Sequence, residues 1–403
     1  MSTAHATLAP LSAAAVDSGP SHLRLAVYPR MTQPAHPYFT GLHGALAKQG
    51  VAASDAIEIS AAWVAANASR VDAIHIHWPE TIWRTPRFGQ AHRLGRAWEA
   101  GRSLLGLARF LRAARRARIT RIWTVHNLAP HEGAYRWDHY GYRLLARESD
   151  LIICHSEWSA ALVRDHFRPS GEVLVMPHGE LASACPPPRS RVDVIRELGL
   201  DPEAPLVSCL GRLRDYKGLE LAAEAVERIN GPVQLVIAGV RQIGFDLAPL
   251  TEAAERTPRI VLLPRRLTEQ ELADLTAASD AVLLPYRKIT GSAALLSALG
   301  FGSGVVTSDL PYFREVLAPE PQAGVIVPGR DAGAWADAIV EFLARDPDAR
   351  RRAALRLADR YSWDRSVAPV AAALRARAML TGRIIERPDR SAVQAEPGEA
   401  SRR

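Results

Sequence analysis

Residues 206–218 read LVSCLGRLRDYKG. An apolar run, Leu206–Leu210, meets a glycine, then three basic residues, then a second glycine from which a helical pattern runs to Ile229. At such a strand–turn–helix point glycine lets the backbone come close to a ligand, and helix amides attract an anion. Arg212 and Lys217 add fixed cations able to grip a diphosphate. The spacing is not that of a Walker A loop, and a basic surface turn is the plain alternative.

A second turn of this kind, LLPYRKITGS, occupies residues 283–292. The apolar run Ala281–Leu284 passes through it into a helical pattern at Ala293–Leu299. Backbone amides near Gly291 would face a phosphate, with Tyr286, Thr290 and the Ser292 hydroxyl beside them. Two such turns in one unit suggest a diphosphate held from two sides.

Working outward, further strands are predicted at Val233–Ala238, Ile260–Leu263 and Gly304–Thr307, with a helix over Thr268–Ala278 capped by Thr268 and Glu271. Upstream, Leu23–Tyr28, Ala73–Trp78, Arg121–Val125, Leu151–Cys154 and Val173–Met176 read as strands, and Tyr38–Lys48 as a helix ended by Gly50. Strands spaced by helices imply parallel sheets with right-handed crossovers. The proline-rich stretch Gly179–Pro205 reads as the connection between two α/β units. A chain of 403 residues suits two domains of roughly 100–200 residues each.

Composition narrows the function. Three scattered cysteines, Cys154, Cys185 and Cys209, exclude a disulfide framework and a structural zinc site. No run approaches the roughly 20 apolar residues of a spanning helix, and the start lacks the basic region of a secretory signal. Residues 1–20 and 383–403 are expected to be disordered. The net charge of +7 points to nucleic acid, an anionic membrane surface or a phosphorylated ligand. Between Arg87 and Arg121, arginines that include Arg109, Arg112 and Arg116 alternate with Trp98, Leu105, Leu107, Phe110 and Leu111. This is either a solvated helix packed on its sheet or a helix lying on an anionic leaflet. No nucleic-acid module accompanies the charge.

Two further clusters leave apolar strands. HIHWPE places His75, His77, Trp78 and Glu80 at one exit; TVHNLAPHE places His126, Asn127, His131 and Glu132 at another. Polar groups at strand exits are where α/β enzymes keep reacting residues. Asp346-Pro347-Asp348 joins two helical patterns and reads as a helix start, not a metal motif.

GRLRDYKG, with Tyr361-Ser362-Trp363-Asp364, resembles the GT-B glycosyltransferases, broadly the glycosyltransferase family 4 superfamily, over roughly residues 22–375. The resemblance implies an α/β chain of two Rossmann-like domains with a C-terminal helix crossing back to the first. The expected divisions are 21–180 (acceptor side), 181–204 (linker), 205–360 (nucleotide-sugar side) and 361–382 (crossing helix), between the disordered tails 1–20 and 383–403. It implies that Gly211, Arg212, Lys217, Tyr286, Thr290, Gly291 and Ser292 bind the donor.

HIHWPE, TVHNLAPHE, YKGLE and LPYRKITGSAALLSAL together resemble the xanthan-type β-mannosyltransferases, glycosyltransferase family 94. That implies inverting transfer of mannose from GDP-mannose to a polyprenyl-diphosphate-linked oligosaccharide in exopolysaccharide synthesis, on the cytoplasmic face of the membrane. No cofactor and no metal are expected beyond the nucleotide sugar, since Arg212 and Lys217 would neutralise the phosphates. Glu132 is the first candidate base, with Glu80 and His126 as alternatives. His77, Trp78, Asn127, His131, Arg109, Arg112 and Arg116 fall on the acceptor and membrane side. Where many family 4 members carry a Glu-x7-Glu pair this chain has Ile289 and Ser297, and Ala293 stands where glycine is usual. Transfer from another nucleotide sugar, a nucleotide-sugar epimerase and an inactive nucleotide-sugar-binding subunit are the competing readings.

Overall fold

The computed structural model of the chain describes residues 22–29, 37–54, 57–84, 93–128 and 136–383. The expected disordered tails lie outside these, apart from Arg383. The first unit runs β1 (Leu23–Tyr28), α1 (Pro37–Lys48), β2 (Val51–Ser54), α2 (Ala61–Asn67), β3 (Ala73–Ile76), α3 (Glu80–Trp83), α4 (Arg93–Arg116), β4 (Thr120–Val125), α5 (Arg136–Glu148), β5 (Leu151–Cys154), α6 (Glu157–Phe167), β6 (Glu172–Val175). A connection with α7 (Arg191–Glu197) follows. The second unit runs β7 (Leu206–Leu210), α8 (Leu219–Arg228), β8 (Gln234–Ala238), α9 (Ala248–Arg256), β9 (Ile260–Leu263), α10 (Glu269–Ala278), β10 (Ala281–Leu284), α11 (Ala293–Gly300), β11 (Gly304–Ser308), α12 (Pro311–Leu317), β12 (Gly324–Val327), α13 (Ala332–Ala344), α14 (Pro347–Arg360). The last helix, α15 (Trp363–Leu380), returns to the first unit.

Each unit is a parallel six-stranded sheet, ordered β2-β1-β3-β4-β5-β6 and β12-β11-β10-β7-β8-β9. Strands β4, β5, β7, β8, β10 and β11 are buried throughout, which is why they are largely apolar, β5 and β10 without a break. Strand order reverses direction between β1 and β3 and between β7 and β10. At a reversal the connecting helices leave on opposite faces, and a crevice opens at the strands' carboxyl ends.

Local signals resolve as chemistry dictates. Thr268 and Glu271 form the expected capping box on α10, with bonds of 2.8 and 3.1 Å. Asp346 caps α14 by accepting from the Asp348 and Ala349 amides, so the Asp-Pro-Asp sequence is a helix start. The strand predicted to reach Trp78 stops at Ile76, because Trp78 takes a left-handed φ of 39° and turns the chain into α3. In α4, Ala100, Leu107, Phe110, Leu111 and Ala114 are buried, while Trp98 (74%) and Leu105 (49%) stay exposed beside the arginines. The apolar stripe is therefore wider than the face the core covers. No helix among the described residues is long and apolar enough to cross a membrane.

Helix α15 ties the units together. The Trp363 ring lies so close to Gly41 and Gly179 that an added Cβ would sit 2.2 and 2.1 Å from it. Only glycine permits that approach. Lys48 pairs with Asp364 at 2.9 Å and Arg377 with Glu172 at 3.2 Å. Arg383, where the tail was expected to begin, donates to the carbonyls of Ala68, Val71, Ala117 and Arg118.

Around Tyr38, which packs against both His77 and Trp363, the side chains of His75, His77 and His155 are buried and that of His43 is partly so. His75 Nε2 meets Thr124 Oγ1 at 2.7 Å, and His155 Nδ1 donates to the Met176 carbonyl at 2.9 Å. Burial pushes His43 and His155 down to about 4 and holds His75 and His77 well below the usual imidazole range, with neighbouring imidazoles adding to it. All four are neutral in the fold. Below their unfolded value of 6.5 the unfolded chain binds more protons, so stability falls with pH from there to the folded values. Each contributes a loss of about 1.4 kcal/mol per pH unit. The melting temperature is expected to fall steeply between pH 6.5 and 5, before the carboxylates titrate. A melt unchanged from pH 7 to 5 contradicts the neutral cluster.

Candidate active site

The two strand-order reversals face each other and enclose a cavity of about 740 Å³. Its walls come from both units and from the connection between them.

On the second unit, Gly211 (φ 93°) and Gly239 (φ 148°) bring two turns together, since a Cβ on Gly239 would meet the Gly211 carbonyl at 2.1 Å. Lys217 is buried in the space this leaves. Its Nζ donates to the Leu210 carbonyl at 2.8 Å, stands 5.8 Å from the Tyr286 ring centre, and would be only 3.1 Å from a Cβ at 211. One of three ammonium protons is thus engaged, and two can point into the cavity. Burial lowers the Lys217 pKa to about 8, offset in part by Cys209 and reinforced by Arg214. Arg212 lines the same wall and is exposed.

The second turn closes the other side. Ser292 caps α11 by accepting from the Leu295 amide at 3.1 Å. Gly291, Ser292 and Tyr286 line the cavity. Thr290 reaches across to the first unit instead: its hydroxyl donates to the His126 carbonyl at 3.0 Å and lies 3.3 Å from Asn127 Oδ1.

The facing wall carries Trp78, Glu80, Arg84 and Asn127. Glu80 opens α3, and Tyr142 donates to its Oε2 at 3.4 Å. Arg84 makes a bidentate pair with Asp138, which also accepts from Trp83 Nε1. Burial raises the Glu80 pKa, Asp138 adds to it, and Arg84 opposes it. His126 stacks on Trp78 at 4.3 Å, and its Nε2 lies 3.0 Å from Nδ1 of the buried His77. His131 and Glu132 lie outside the described residues. Arg109, Arg112 and Arg116 are exposed on α4 and do not line the cavity.

Sequence reasoning gave no role at the cavity to several lining residues, among them Arg84, Arg214 and Ser297. Arg84 sits three positions past Thr81 with no turn signal to mark it, and Ser297 presents a buried hydroxyl with no partner. Leu213 is buried and bridges Arg241 in extended form, so Arg214 shares the opposite side of the chain with Arg212. Among the described residues no group of three His, Cys, Asp or Glu side chains is placed to hold a metal ion.

Residues 204–345 match the family described as "Glycosyl transferases group 1". The chain is 29% identical over 241 residues to a D-inositol 3-phosphate glycosyltransferase of Xylanimonas cellulosilytica, covering 56% of each. It is 28% identical over 274 residues to the lipopolysaccharide core biosynthesis mannosyltransferase LpsB of Rhizobium meliloti, covering 66% of this chain and 73% of that one. The chain spans about half the length of the first curated relatives it matches. Among solved structures, sucrose-phosphate synthase from Thermosynechococcus elongatus superposes with a TM-score of 0.65 at 17% identity, covering 90% of this chain and 100% of that one. Anabaena HepE in complex with UDP-glucose superposes with a TM-score of 0.64 at 15% identity, covering 88% and 100%. Two parallel six-stranded sheets with facing carboxyl edges and a returning C-terminal helix are thus the GT-B fold of these glycosyltransferase neighbours.

Proposed function

We propose that the chain is a glycosyltransferase that binds a nucleotide sugar in the cavity between its two units. The observation that carries this is one cavity with Lys217 and Arg212 on one wall and Glu80 on the other. Arg212, the free protons of Lys217 and the amino end of α11 would hold the donor diphosphate and stabilise charge on it as it leaves. Glu80 would take the proton of the acceptor hydroxyl as that oxygen attacks the anomeric carbon from the face opposite the diphosphate. Inversion follows from attack on that side. Glu80 is preferred to His126 because the His126 Nε2 is engaged by His77, and Glu80 lines the cavity; Glu132, the first candidate from the sequence, lies outside the described residues. Burial makes its carboxylate a better base.

The finer reading is transfer of mannose from GDP-mannose to a lipid-linked oligosaccharide in exopolysaccharide synthesis. The xanthan-type motifs and the similarity to the mannosyltransferase LpsB support it. The name of the inositol-phosphate relatives and the UDP-glucose in HepE make the donor the first quantity to measure. The chain would work at the inner face of the membrane. On α4, Arg102, Arg109 and Arg116 recur every two turns, as do Trp98, Leu105 and Arg112, giving adjacent cationic and mixed apolar stripes, all exposed. Each arginine near an anionic leaflet contributes about 1 kcal/mol.

Thermal unfolding with GDP-mannose, UDP-glucose, UDP-glucuronate, UDP-galactose and dTDP-rhamnose tests the donor. A true donor at 100 times its dissociation constant stabilises the fold by about 2.7 kcal/mol. Selective stabilisation by GDP-mannose is expected, and its loss in Lys217→Ala. Another sugar nucleotide would keep the transferase and remove mannose; stabilisation by none would overturn the reading. Glu80→Gln is expected to lower kcat by about 10²–10⁴ while leaving donor stabilisation intact. Near-normal turnover would move the base elsewhere. Flotation with phosphatidylserine vesicles at low salt should retain the wild type and release Arg109→Gln/Arg112→Gln/Arg116→Gln; equal retention of both removes the α4 face from membrane binding.

A further inference from the structure

The turn Leu213–Lys217 has a second side. There Arg214, Asp215 and Tyr216 meet Gln242–Phe245 and Arg287–Lys288 around a cavity of about 600 Å³, which the donor reading leaves unused. Its walls are tied by backbone bonds. Leu213 donates to the Val240 carbonyl at 2.9 Å, Gln242 to the Leu213 carbonyl at 3.1 Å, and Arg287 to the Tyr216 carbonyl at 2.7 Å. Arg241 Nε braces the loop through the Phe245 carbonyl at 2.8 Å. The cavity is therefore formed before any ligand arrives, which favours binding because little has to be ordered.

Its charge is unbalanced. Arg214, Arg287 and Lys288 line it, against one acid, Asp215. Behind them a single Glu220 oxygen accepts from both Arg287 (2.5 Å) and Arg330 (3.0 Å), so one carboxylate answers two guanidinium groups. Lys288 is exposed and enters no ion pair among the described residues. Arg214 Nε is buried without a hydrogen-bond partner. A buried donor left unpaired is unfavourable, and a ligand oxygen would relieve it. Arg214 and Tyr216 line the main cavity as well, so an occupant here sits beside the donor. Apolar surface adjoins the cations: Phe245 is in the wall, and Ile243 at the lip is 99% exposed.

We propose that this cavity is a second phosphate-binding subsite, which takes a phosphate or diphosphate group of the molecule that receives the sugar while Arg212 and Lys217 hold the donor. Guanidinium groups present paired N–H donors that match phosphate oxygens, and Lys288 supplies a mobile point charge. Assignment to an acceptor rests on the transferase reading; the phosphate site does not. The phosphate is either soluble or carried on a lipid, and the Ile243–Phe245 edge suits an apolar chain beside it.

Calorimetric titration of the full chain with inorganic pyrophosphate, at saturating concentration of the nucleotide sugar that stabilises the fold, tests the subsite. One further equivalent of pyrophosphate is expected to bind. Lys288→Gln and Arg287→Gln/Lys288→Gln should weaken it at least tenfold with donor affinity unchanged. No further equivalent, or one that neither substitution affects, overturns the proposal. The same titration of Lys217→Ala without nucleotide reads the subsite even if no sugar nucleotide binds, which separates its failure from that of the transferase reading. Arg287→Lys and the melting temperature of each variant show whether the Glu220 pair has been lost as structure. Geranyl diphosphate binding at least tenfold tighter than pyrophosphate, with the gain lost in Ile243→Ser, marks a lipid-borne phosphate; equal affinities mark a soluble one.

Discussion

The Trp363 indole, pressed against Gly41 and Gly179, joins the last helix of the chain to its first unit. Because α15 follows directly from α14 of the second unit, this packing sets how the two sheets face each other. The cavity between them exists only in that arrangement. Other contacts share the work. Glu315 of α12 accepts from the Glu157 and Trp158 amides at the start of α6, and Thr290 reaches the His126 carbonyl. A side chain larger than hydrogen at 41 or 179 would displace the indole and, with it, the wall opposite Lys217.

Across that cavity the charge is divided. The second unit brings cations and a helix amino end; the first brings a carboxylate whose protonated form is favoured by burial. Lys217 is held where its charge is already costly, and an incoming anion would relieve that cost. The same principle extends behind the turn, where Arg214 has a buried, unpartnered Nε. The histidines around Tyr38 do the opposite. They fill the first unit's core as neutral rings and leave His126 at its edge.

Much of the architecture was legible because its signals are local. Continuous apolar runs reported buried parallel strands, and the glycines of GRLRDYKG and ITGS reported turns after them. Thr268 and Asp346 announced helix starts through bonds to their own neighbours. Weak signals failed for stated reasons. VAAS and GVIV, which form β2 and β12, are four-residue edge strands only partly buried, so neither carries a strong pattern. The sequence left the apolar stripe of α4 open between packing on the sheet and lying on a leaflet, because hydrophobicity alone does not say how wide the covered face is; Trp98 and Leu105 fall outside it.

The sequence alone therefore determined two α/β units, the two glycine turns, and the residue types available for anion binding and proton transfer. These depend on spacing within a few residues, where backbone geometry dictates the outcome. Tertiary structure alone decided which groups share a cavity. Glu80 acquires its environment from Tyr142, Arg84 and Asp138, the first and last of which lie on α5, far along the chain. Arg214 becomes a shared wall of two cavities only when loops from β8 and β10 close around it. Desolvation and pairing are properties of packed neighbours, and which neighbours those are is settled by the order of strands and the path of α15.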